Sequence, residues 1–343
     1  MNKELFKVTT VLLFCLVGLL SIYGCSSDQE QTKTNEKISP PATLENNQLT
    51  IAVNTTIKSA SVILAHELGY FENEGIQVDL SIKQSGVATK KALDDGVVDI
   101  ATVPEIIAAD DALVNDSWRI LSSINRSVTN ELVARRDRGI NQVSDLRGKK
   151  IGIKKESGSV YWLNQMLIYN SIAMGDIELV DAKPVNLAGM LNRGEVDAVV
   201  TWYPHAYQAI TDLGENAYHT SAQMGQEVFW LLIAQKSWLA ENHELAIRFL
   251  KALEKANRYI QNNPTKTKEI LAEFLHLDPA SIAYEWDRHI FKTELPQNLV
   301  MIMEEQMKFR VAQQGEGAAP DPFGLFHFDA LKKVNPSSIS IAH

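Results

Sequence analysis

A short motif that occurs twice constrains this chain more than any other feature. Gly96-Val97-Val98-Asp99-Ile100-Ala101-Thr102 is followed by Pro104, and Gly194-Glu195-Val196-Asp197-Ala198-Val199-Val200-Thr201 by Pro204. Each copy closes the same alternation. In the first, the apolar run Leu49 to Val53 reads as a strand, Ser61 to Leu68 as a helix, Ile76 to Leu80 as a strand and Val87 to Leu93 as a helix. In the second, Ile151 to Ile153, Val160 to Ile172, Ile177 to Val180 and Leu187 to Asn192 repeat that order. Asp99 lies 48 positions after Ile51, and Asp197 lies 46 after Ile151. Strand–helix alternation means mostly parallel sheet with right-handed crossovers, and two such units in tandem mean two similar α/β lobes.

The segments outside the repeat differ in kind. Lys3 and Lys7 precede an apolar run from Val11 to Leu20 that ends at Ile22-Tyr23-Gly24-Cys25. That order is the pattern of an export signal, assigned to residues 1–24, and Ile22-x-Gly24-Cys25 resembles a bacterial lipobox whose cysteine becomes lipidated. The other reading of the run is an uncleaved transmembrane anchor. Cys15 lies inside the apolar run, so an exported body keeps Cys25 alone and has no disulfide to form. Residues 25–47 are rich in Gln, Thr, Asn, Glu, Lys and Pro, the composition of a flexible tether. From about Trp238 onward the pattern is of helices only, with Leu245, Phe249, Leu250, Leu253 and Ala256 at helical spacing and prolines 264, 279 and 296 opening further helices. These helices are expected to wrap the first lobe, which gives lobe I as 48–135 with 233–343, and lobe II as 136–232.

A net charge of −9 argues against a nucleic-acid partner, because phosphate binding needs a basic face. The histidines are scattered and the cysteines few, so no metal or nucleophile cluster is expected, no cofactor, and no enzyme. His66 reads as a structural residue on its helix; His205, just after Pro204, is a possible ligand contact.

In open parallel sheets ligands bind beyond the carboxyl ends of the strands. That rule selects Asn54, Thr55, Thr56, Ser59 and Ser61 after the first strand, Ser85 and Gly86 after the second, and Thr102 to Glu105 after the third. In the second unit it selects Ser157, Gly158 and Ser159, then Thr201, Trp202 and Tyr203. Ser59 and Ser157 read equally as helix N-caps, and Trp202 and Tyr203 as core aromatics in place of cleft walls. Glu105 facing a cleft would favour a ligand with an ammonium or amidine; at a helix start, a carboxylate is also ordinary. Arg126 is the nearest candidate cation, with a surface ion pair as its other role.

Three stretches, in order, carry a family likeness: Leu64 to Val78 with its Gly69-Tyr70-Phe71 and Gly75, Ser144 to Gly152, and Asp197 to Pro204. They resemble the substrate-binding proteins of nitrate, sulfonate, taurine and thiamine-precursor ABC importers. The resemblance implies a two-lobe periplasmic-binding-protein fold (type II), with hinge crossings near Leu132 to Arg138 and Phe229 to Gln235. It also implies a monomer at the cell envelope that closes on a small polar ligand and delivers it to an ABC permease. Glu105 fits a bare sulfonate poorly, and a zwitterion such as taurine or an aminopyrimidine better. Two rivals remain: an enzyme, since a pyrimidine-forming synthase shares this fold, and a ligand-sensing module for a separate receptor.

Overall fold

The computed structural model describes residues 47–315 and 317–342. The export signal, Cys25 and nearly all of the tether lie outside them. The first repeat folds as β1 (Gln48–Asn54), α1 (Ala60–Glu67), α2 (Tyr70–Asn73), β2 (Gln77–Lys83), α3 (Gly86–Asp94), β3 (Ile100–Pro104) and α4 (Glu105–Ala112). Strands β4 (Trp118–Ser127) and β5 (Asn130–Arg135) follow. The second repeat is β6 (Lys150–Ile153), α5 (Ser159–Tyr169), β7 (Glu178–Asp181), α6 (Pro184–Arg193), β8 (Ala198–Trp202) and α7 (His205–Leu213). Then come β9 (Ala217–Ser221), β10 (Val228–Gln235), α8 (Lys236–Glu241), α9 (His243–Asn262), α10 (Pro264–Leu275), α11 (Pro279–Glu285), β11 (His289–Glu294), α12 (Gln297–Gln314) and α13 (Phe328–Val334).

The twofold motif has a physical cause that is the same in both copies. Asp99 Oδ2 accepts from the Thr50 N–H (2.7 Å) and hydroxyl (2.8 Å), while the Asp99 N–H donates to the Thr50 carbonyl. Asp197 Oδ2 likewise accepts from the Lys150 N–H (2.9 Å), and its own N–H donates to the Lys150 carbonyl. Each aspartate therefore ties the start of one strand to its parallel neighbour. Gly96 and Gly194 end the preceding helices with φ of +68° and +74°, a conformation that glycine adopts without steric cost. Val98 and Val196 are buried beneath the turn.

Two sheets result, in the orders β11-β4-β10-β3-β1-β2 and β7-β6-β8-β5-β9. Pairings within each repeat are parallel, β1 with β2 and β3, and β6 with β7 and β8. Strands that arrive from the other half of the chain pair antiparallel: β10 on β3, and β5 on β8. The chain thus changes sheets at Val128-Thr129 and between Ala222 and Glu227. The segments expected as hinges, Leu132 to Arg138 and Phe229 to Gln235, begin inside the ladders of β5 and β10. A second difference lies at the C-terminus, where helices only were expected. His289–Glu294 alternates buried His289, Phe291 and Thr293 with exposed Ile290 and Lys292, and adds β11 to the first sheet's edge.

One side chain stitches the two crossing segments together. Gln223 Oε1 accepts from the Thr129 and Asn130 N–H groups, each at 2.7 Å, and from Asn130 Nδ2 at 3.1 Å. Its Nε2 donates to the carbonyls of Ser127 (3.0 Å) and Gln226 (2.6 Å). Five hydrogen bonds on a buried amide fix the crossing geometry, because leaving any of these backbone groups dry is costly.

Candidate ligand-binding site

The carboxyl ends of the two repeats meet. Ile106, one residue into α4, lies so close to Gly158 that a Cβ added there would stand 2.7 Å from Ile106 Cγ2. Nearby, the Tyr161 ring on α5 meets the Phe309 ring on α12 edge-on at 5.1 Å. On another side Tyr203 and Tyr207 pack against Tyr284 of α11 at 5.7 and 5.3 Å. The guanidinium of Arg288 sits 5.4 Å from the Tyr203 ring centre and 4.9 Å from that of Tyr284.

Residues after β1 and β3 form one relay. The Trp230 indole N–H donates to Ser59 Oγ (3.1 Å), Ser59 to Thr102 Oγ1 (3.2 Å), and Thr102 to the Ala52 carbonyl (3.1 Å). Ser59 thus stands at the N-cap position of α1, but its hydroxyl caps no backbone N–H and instead orients Trp230. Gly86 lies under that ring, since a Cβ there would come within 2.4 Å of Pro104 Cδ and 3.5 Å of the indole. Ser85 caps α3 through the Ala88 N–H (3.2 Å). Asn54 and Thr56 are buried and bonded to each other (3.2 Å), with Thr55 half-buried between them.

In the second half, Ser157 Oγ donates to the Lys154 carbonyl (2.7 Å) and accepts from the Ser159 N–H (3.3 Å). Ser159 donates to Asn130 Oδ1 (3.4 Å), bringing the loop after β6 onto the crossing segment. The Thr201 hydroxyl is buried and has no hydrogen-bond partner. Trp202 is half-buried, its ring edge towards His205 at 6.1 Å. Burial pushes His205 down to about 4, so that imidazole is neutral at pH 7.

Four expectations need correction. Ser61 turns away from the gap and donates to Asn257 of α9 (2.5 Å), because α1 packs that face on α9. Tyr203 is core: it is fully buried, and its hydroxyl donates to Glu131 Oε1 (3.2 Å). Glu105 is fully buried and spent on the fold, since Oε2 accepts from the Phe229 N–H (2.8 Å) and Oε1 from Gln306 Nε2 (2.9 Å). Burial raises it to about 7 against those bonds. Arg126 is not a free cation either; Glu227 holds it at 2.9 and 3.0 Å and Glu294 stands 3.4 Å from its Nε.

Sequence reasoning passed over Lys58, which stands inside the very loop it selected. This lysine is 4% exposed, its ammonium 5.4 Å from the centre of the Trp230 ring. Burial lowers it to about 8, with Glu285 and then Glu105 opposing the shift. Glu285 itself accepts from His289 Nε2 at 3.0 Å, and burial keeps His289 neutral by lowering its pKa. Two open hollows lie elsewhere, one beside Lys251, Glu254 and Arg258 on α9, the other beside Val185 and Arg193 on α6. Among the described residues no group of acidic, histidine or cysteine side chains is placed to hold a metal, and no helix is long and apolar enough to cross a membrane.

Comparison with known proteins agrees with this architecture. The taurine-binding periplasmic protein of Escherichia coli K12 is 26% identical over 221 residues, covering 62% of this chain and 67% of that protein. The periplasmic aliphatic sulphonate binding protein SsuA of Escherichia coli shares the fold with a TM-score of 0.71 at 16% identity, over 83% of this chain and 98% of that one. The desulfurization enzyme DszB also shares it, with a TM-score of 0.61 at 15% identity over 84% and 99%. Two mixed α/β sheets flanked by helices, matching these solved structures over most of their length, bear out the periplasmic-binding-protein fold expected from the sequence. A family profile described as "NMT1/THI5 like" matches residues 56–267, more than half of the chain. The chain belongs to the NMT1/THI5-like family.

Proposed function

We propose that this protein is an exported solute-binding lipoprotein, anchored through Cys25, that captures a small sulfonate- or taurine-type ligand and delivers it to an ABC import permease. The observation that carries the reading is the meeting of two matched strand–helix repeats at their carboxyl ends, with Ile106 against Gly158. Capture is then closure of two lobes about the crossings at Val128-Thr129 and 222–227. The binding of taurine by one relative and of sulphonates by a protein of the same fold supports the ligand class. A second reading, a flat aminopyrimidine, is favoured by the half-buried ring of Trp202.

Calorimetric titration with taurine, ethanesulfonate and an aminopyrimidine tests the function. A one-to-one complex of micromolar affinity, about −8 kcal/mol, is the expected result. Catalytic turnover of any of them points instead to an enzyme. Metabolic labelling with palmitate tests the anchor: label is expected on the native chain and lost in Cys25→Ala.

A further inference from the structure

Two lysines of the first sheet's layer are equally buried, each 4% exposed, and each has an aromatic ring beneath its ammonium. Lys90 lies 5.8 Å from the centre of the Trp118 ring and is paired as a buried cation must be, with Asp94 at 2.6 and 2.7 Å and Asp111 at 2.7 Å. Lys58, over Trp230 at 5.4 Å, has no hydrogen-bond partner among the described residues, and no carboxylate among them stands within the 4.0 Å of an ion pair. A buried charge without a partner lowers stability unless something else rewards its retention, and ring attraction alone offsets only part of that cost.

The surroundings of Lys58 are built. Trp230 comes from β10, and its ring is held by the relay through Ser59 and Thr102 to the backbone of β1. Facing charged groups come from three further elements: Glu105 from α4, Glu285 from α11 and His289 from β11. Glu105 is committed to Phe229 and Gln306, and Glu285 Oε2 to His289. Glu285 and Glu105 oppose the lowering of the Lys58 pKa by burial, and neither caps the ammonium. Lys58 lies in the short helical turn Ile57–Ser59, four residues after the end of β1.

We infer that Lys58 is the residue that receives the acidic group of the ligand, a sulfonate or carboxylate, donating a charge-assisted hydrogen bond from an ammonium held over Trp230. The inference rests on the solute-binding reading and deepens it. It replaces the ammonium-seeking site expected from Glu105 with one that seeks an anion.

The test compares the native chain with Lys58→Met and Lys58→Arg. Without added ligand, Lys58→Met is expected to melt at the same temperature or higher, because it removes an unpaired buried charge; a melting point several degrees lower gives Lys58 a structural role and overturns the assignment. Taurine and ethanesulfonate are expected to bind Lys58→Met about a hundredfold more weakly, and Lys58→Arg within tenfold of the native chain. Native-like affinity in a folded Lys58→Met overturns the inference while leaving the solute-binding reading intact. A native chain that binds the aminopyrimidine but neither acid also overturns it. If none of the three binds, the proposed function fails, and the melting comparison alone judges Lys58.

Discussion

Gly158 offers the sharpest perturbation, because its surroundings isolate one effect. Its φ and ψ of −60° and −14° are ordinary helical values, so alanine is free of backbone strain there. The added Cβ stands 2.7 Å from Ile106 Cγ2, against about 3.5–4.0 Å for relaxed carbon contact. The Ile106 methyl must therefore retreat by about 1 Å, and overpacking of that size costs about 1–3 kcal/mol. Only the conformer in which α4 touches the loop after β6 bears this cost. The substitution should shift the closed-to-open ratio by about 5- to 150-fold towards open. Spin labels at Val114→Cys and Tyr169→Cys, 89% and 80% exposed, report the change as a distance distribution in a chain whose Cys15 and Cys25 are serine. Gly158→Ala is expected to lengthen the distances, and adding Ile106→Ala to restore them by removing the clashing methyl. An unchanged distribution, or a lengthening that Ile106→Ala fails to reverse, refutes the reasoning.

Three further outcomes are expected. Gln223→Leu strips partners from two backbone N–H groups and two carbonyls at the crossing segments, and should lower unfolding free energy by about 3 kcal/mol in urea titration; a change below about 0.5 kcal/mol means the clamp is dispensable. Gly86→Ala drives a methyl into Pro104 and should cost about 1–3 kcal/mol while quenching or shifting Trp230 fluorescence, whereas native emission and stability would show that the ring is not seated there. Glu105 holds its proton more tightly folded than unfolded, so its contribution is fully present below about pH 4.5 and is lost as pH rises through about 7. Relative to the native chain, Glu105→Gln should therefore gain up to about 3 kcal/mol between pH 4.5 and 8, and a pH-independent difference contradicts that burial argument.

The fold was legible wherever local chemistry decides it. Gly96, Asp99 and their counterparts Gly194 and Asp197 act on backbone within their own repeat, so the pattern reports the structure directly. The crossings were harder to place. β10 is apolar from Val228 to Ala234, and such a run does not disclose which sheet it joins or which face Trp230 takes. β11 could have been found from the alternation His289, Phe291, Thr293, had the helices around it not dominated the pattern.

The site was legible by position but not by role. The strand-end rule selected the loop from Asn54 to Ser61, yet a lysine in a polar loop reads as solvated, and Lys58 is buried with its ammonium over Trp230, 172 residues later. Glu105 and Arg126 drew attention as charges, and both are occupied by partners distant in sequence: Glu105 accepts hydrogen bonds from Phe229 and Gln306, and Arg126 pairs with Glu227 and Glu294. Long-range pairing of this kind is set by packing, which a single sequence does not display.

Native mass spectrometry of the full-length protein, purified without added ligand and then exposed to fractionated small metabolites, bears most directly on the central claim. One small acidic molecule per chain, bound reversibly and released chemically unchanged, is the outcome this structure leads to. Release of a converted product, or a protein that takes up no small molecule from any fraction, contradicts it.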